Sequence, residues 1–107
     1  MKEFDHEWKH KFSICHRFKA RIKFINNDRH KPSQGHQISV YVGNVKQTCS
    51  ITSVEQTTLD TFTIGLKLTK RPEYIRKDSR IIIRHTLTIG IGRVCAIAQL
   101  FDDECNE

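Results

Sequence analysis

No G-x-x-x-x-G-K-[ST] run occurs anywhere in this sequence, so it offers no backbone loop to cradle nucleotide phosphates and no Lys or Ser/Thr placed for a γ-phosphate and Mg²⁺. The longest apolar stretches, around Ile81–Ile83 and Cys95–Ala98, fall far short of the ~20 residues a membrane-spanning helix requires. C-x-x-C spacing is absent from the four cysteines, Cys15, Cys49, Cys95 and Cys105. Met1 to Lys11 carries charge throughout, so a signal peptide is not expected before them. The expectation is therefore a reduced compartment, the cytoplasm, with free thiols rather than a disulfide framework. Internal repeats and low-complexity segments are also absent, and 37% hydrophobic with 28% charged residues is globular usage.

What is present is a basic chain of one domain's length. Its 107 residues are enough to bury a modest core without staples. Lys+Arg outnumber Asp+Glu by 18 to 12, a net charge of +6, and the pI is near 9.4. Such an excess favours polyanionic partners, RNA or an acidic protein surface, without choosing between them.

The dominant pattern has period two. From Arg17 to Phe24 every even position is apolar or small and every odd one is basic, which is a strand with one buried face. Residues 26–35 (NNDRHKPSQG) then form a turn-rich loop. Ile38, Val40 and Val42 mark a second strand ending at Gly43-Asn44, and Val45–Val54 is β-branched and Thr/Ser-rich enough for a third. Phe62, Ile64, Leu66 and Leu68 mark a fourth, and 80–84 and 90–98 supply two more. Residues 70–79 (KRPEYIRKDS) read as a charged loop, since Pro72 excludes a continuing central strand. Six short strands predict an all-β, six-stranded antiparallel closed barrel over 17–98. Phe18, Ile22, Phe24, Val40, Ile64, Leu66 and Ile83 should point inward, with Arg17, Lys19, Arg21 and Lys23 outward. Gly90 and Gly92 should mark a bulge or close strand packing. Residues 1–16 form an N-terminal extension whose Phe4, Trp8 and Phe12 recur at helical spacing, and 99–107 form an acidic tail.

Three collinear stretches, 17–27 (RFKARIKFINN), 38–51 (ISVYVGNVKQTCSI) and 71–94 (RPEYIRKDSRIIIRHTLTIGIGRV), resemble the C-terminal β-barrel, the third domain, of translational GTPases related to elongation factor Tu. Within them the GTP-binding protein 1 and 2 subfamily matches best. Its Gly-Ser-Ile-Arg-Gln-Thr segment corresponds to Gly43–Thr48, and its Pro-Glu-Tyr-Leu segment to Pro72–Ile75. The resemblance implies a non-catalytic terminal barrel of a longer GTP-binding protein. It would help grip aminoacyl-tRNA or a related RNA and pack on GTPase and second-barrel domains that this sequence lacks. GTP and Mg²⁺ would belong to the missing domain; no cofactor is expected in this chain, which is expected to be a monomer. The Asp-x-x-Gly and Asn-Lys-x-Asp segments of GTPases are absent as well. By the same resemblance Lys46, Arg84, His85, Thr86, Thr88 and Arg93 are the candidate RNA contacts, with the Gly43-Asn44 and Arg84–Thr88 regions at one edge of the barrel. Two departures stand out. The family's Arg-Glu-Gly-(Gly)-Arg-Thr turn survives here only as Arg84 and a Thr, and Gly43 stands where elongation factor Tu has an Arg that touches tRNA.

Two other function classes compete. One is a protein-interaction barrel without RNA affinity. The other is a small zinc peptidase: His6-Glu7-Trp8-Lys9-His10 is literally H-E-x-x-H, with His16 at the third-ligand position. Only five residues precede that motif, Ser13 replaces the usual Gly, and the single Met is Met1, so no Met-turn follows.

Overall fold

The computed structural model describes residues 12–25 and 32–99. Within them the apolar–basic alternation becomes the two faces of strand β1 (Phe12–Phe24). Phe18, Ala20 and Ile22 are buried, and Arg17, Lys19, Arg21 and Lys23 are exposed. Six further strands follow: β2 (Gln37–Val42), β3 (Val45–Gln56), β4 (Thr61–Leu68), β5 (Glu73–Arg76), β6 (Arg80–His85) and β7 (Thr88–Gln99). No helix occurs among the described residues.

The strands run β4-β3-β2-β6-β7-β1, every neighbour antiparallel, and β1 returns to pair with β4. The result is the expected closed six-stranded barrel, with β5 as one extra strand on the start of β1. β1 is the closing element. Its residues from Arg17 to Lys23 pair with β4 on one edge and β7 on the other. Register shifts at Cys15/Arg17 and Lys19/Ala20 let this long strand bend around the wall, as bulges do.

Inside, Phe18, Ile22, Val40, Ile64, Leu66 and Ile83 are all at most 2% exposed, as expected. Phe24 is only partly buried, packing its ring edge-on against Phe62 with centroids 5.4 Å apart. The glycines of β7 mark close packing. A Cβ on Gly92 would run into the Arg21 carbonyl oxygen, and one on Gly90 would sit 2.6 Å from Ile22 Cγ2. Cys15 and Cys49 lie fully inside the core, and desolvation raises their thiols from 9.0 to about 11 and about 12. Cys95 is a free, half-buried thiol.

Two local expectations need amendment. The 70–79 segment is not loop throughout: Glu73–Arg76 is β5, held by Phe12–Cys15 of β1. Its partner comes from the far end of the sequence, and only Ile75 of its side chains is buried, so no local periodicity reveals it. Residues 12–16, assigned above to the extension, are strand. The rest of the helical spacing, with His6, Glu7 and His10, lies outside the described residues; His16 is on β1. Among the described residues no helix is long and apolar enough to cross a membrane.

Candidate nucleic-acid interface

The two segments that carried the family resemblance meet in space, and Gln47 joins them. It is 7% exposed, on the inward face of β3. Its Nε2 donates to Glu73 Oε2 at 2.9 Å, and its Oε1 accepts from the Lys70 and Arg71 backbone N–H groups at 2.8 and 3.2 Å. Arg71 Nε also donates to Glu73 Oε2 at 3.1 Å. A buried amide satisfied at both ends is a structural brace, so this part of the resemblance is explained by folding. Above the brace a groove of about 470 Å³ runs between the Gly43-Asn44 turn and β5, with Val42, Val45, Tyr74 and Ile75 in its walls.

The outer wall of β3-β2-β6-β7-β1 is organised in cross-strand rows. One row is Arg80–Arg93–Arg21, on β6, β7 and β1. The next is Lys46–Tyr41–Ile82–Ile91–Lys23. A third is Thr48–Ser39–Arg84–Ile89. Successive residues on one face lie ~6.8 Å apart along a strand and neighbouring strands ~4.8 Å apart. Lys46 and Arg84 are therefore on one face with their Cα atoms ~12 Å apart.

The expectation that their two turns share one edge of the barrel is corrected. In the antiparallel pairing of β2 with β6, Val42 faces Ile81 and Ser39 faces Arg84. The Gly43-Asn44 turn and the β6–β7 turn consequently cap opposite ends of the wall. Lys46 and Arg93 stand toward the first end, and Arg84, His85 and Thr86 toward the second. What unites Lys46, Arg84 and Arg93 is a face, not an edge.

Individually they differ. Arg84 is exposed on β6. Lys46 holds its Nζ 5.6 Å from the centroid of the Tyr41 ring. Arg93 donates from Nη1 to the Asp78 carbonyl at 2.9 Å, which fixes its guanidinium beside the β5–β6 turn. Thr86 takes a left-handed φ of 52°, and its hydroxyl donates to the His85 carbonyl. His85 stacks on His36 with centroids 4.9 Å apart, and its buried Nδ1 has no hydrogen-bond partner. Thr88 is 1% exposed; its side chain packs inside, away from any surface an RNA could touch.

Sequence reading missed Arg80 as a neighbour of Arg93, and set Arg21 apart on a solvated strand face. The signal that joins them is pairing register, which depends on the closed barrel and not on local sequence.

No family model matches the chain. Among the curated proteins that match are GTP-binding protein 2 of Mus musculus and GTP-binding protein 2 of Homo sapiens, each 30% identical over 86 residues. The match covers 77% of this chain and only 14% of each relative. A barrel that aligns with one segment of a much longer GTP-binding protein fits a GTPase-related β-barrel domain.

Proposed function

We propose that this chain is the non-catalytic terminal barrel of a GTP-binding, translation-factor-like protein of the cytoplasm. Its outer wall would bind aminoacyl-tRNA or a related RNA through the phosphates, and its remaining surface would pack on GTPase and second-barrel domains. GTP and Mg²⁺ would be held by the nucleotide-binding domain, since this sequence has no P-loop. The observation that carries the reading is that Lys46, Arg84 and Arg93 stand on one outward face, with no carboxylate ion-paired to them among the described residues. Phosphate contacts of this kind position RNA without reading its sequence.

The test is filter binding of labelled tRNA at two salt concentrations. Affinity is expected in the non-specific range, about 10⁻⁴ to 10⁻⁶ M, with strong salt dependence. Lys46→Glu with Arg84→Glu should weaken binding and reduce the salt slope. Arg17→Glu with Lys67→Glu is the charge-matched control, because that cross-strand pair of β1 and β4 lies away from the proposed face. Equal losses from both pairs would reduce the attraction to net charge and sink the reading.

A further inference from the structure

Three arginines in a single cross-strand row are an unfavourable way to build a sheet, because like charges directly opposite one another repel. Arg93 faces Arg80 on one side and Arg21 on the other, and all three are exposed. Among the described residues none is ion-paired. The nearest acid in sequence, Asp78, contributes its backbone carbonyl to Arg93.

The adjacent row has the opposite character. Ile82 and Ile91 are cross-strand partners, exposed by 45% and 43%, with half-buried Tyr41 beside Ile82. Lys46 and Lys23 close its two ends. Single exposed apolar residues are ordinary; an apolar row laid along an arginine row is a surface with two chemistries.

We infer that these two rows dock an extended acidic protein segment in which carboxylate and aliphatic residues alternate. Laid in the channel between the rows, such a segment sends alternate side chains to opposite sides. Carboxylates then meet guanidinium forks, which bind them bidentately, and aliphatic side chains cover Ile82 and Ile91. RNA phosphates would satisfy the arginines equally well but leave the isoleucines bare, since bases stack on aromatic rings and guanidinium planes. The surface shares Arg93 and Lys46 with the proposed RNA face, so the two partners exclude one another.

The test is fluorescence anisotropy on the whole chain with two labelled octapeptides, one alternating Glu and Ile and the other alternating Glu and Ser. The Glu/Ile peptide should bind at least about tenfold more tightly than its equally charged counterpart. Ile82→Ser with Ile91→Ser should bring the ratio close to one. Arg21→Glu with Arg80→Glu should weaken the Glu/Ile peptide about tenfold or more; these changes place carboxylates beside Arg93, so the fold is kept. Arg84→Glu lies outside both rows and should weaken the Glu/Ile peptide less than Arg80→Glu alone does, while weakening tRNA. Equal binding of the two peptides, or indifference to the Arg21/Arg80 pair, overturns the inference. So does loss of tRNA binding on changing Ile82 and Ile91 when neither peptide binds, which would make the surface an RNA site. Failure of Arg84→Glu to affect tRNA would count against the RNA reading alone.

Discussion

Both ends of the Gln47 amide are committed to groups from another part of the chain, which makes this residue's replacement informative. Gln47→Leu keeps the volume but strands two backbone N–H groups and Glu73. It should cost about 1–3 kcal/mol in urea denaturation. The buried thiols give a second prediction. Cys15 and Cys49 titrate near 9.0 when unfolded and at about 11 and about 12 when folded. Above pH 9 the folded state therefore holds protons that the unfolded state releases. Their contribution is complete below pH 9 and is lost as pH rises toward 11–12. The urea midpoint should fall over that window, and Cys15→Ala with Cys49→Ala should flatten the fall. That Cys49 lies on a strand was readable from the β-branched, Thr/Ser-rich run 45–54. The role of Gln47 was not, because a polar residue in a Thr/Ser-rich strand gives no hint of a partner 26 positions away.

At the scale of elements, β1 and β7 decide whether the barrel closes. Gly92→Ala drives a Cβ into the Arg21 carbonyl, backbone against backbone, and should cost about 3 kcal/mol. Phe18→Ala, deep in the core, should cost about 3–5 kcal/mol. Both are read from denaturant midpoints, and a loss below about 0.5 kcal/mol at either site would place β1 in the wrong register. The barrel strands themselves were legible, because alternation on β1, β2 and β4 separates wall from core residue by residue. β5 was not, since four residues with one buried side chain carry no period. The opposite-end placement of the two turns was equally hidden. It follows from which strand pairs with β2, and β6 is that partner from some 40 positions downstream.

On the scale of the whole molecule, the isolated chain should take up no guanine nucleotide. Calorimetry with GTP or GDP should show no micromolar binding, since nothing in the sequence supplies a phosphate cradle. The face that serves as the candidate site was half legible: Lys46, Arg84 and Arg93 were found by resemblance, whereas Arg21, Arg80 and the isoleucines needed the closed sheet. Closure also has a cost in time. β1 is synthesised first and waits for β7, since Phe24 pairs with Gly90 and Arg17 with Ala98. At ordinary elongation rates the interval is on the order of ten seconds. Throughout it the nascent strand carries Phe18 and Ile22 on one face and an edge with no β7 to pair with. The same strand carries Arg17, Lys19, Arg21 and Lys23, and interleaved cations of this kind discourage edge-to-edge association of strands. The basic stripe thus acts before the fold exists, as a guard against aggregation on the ribosome, whichever partner it later meets.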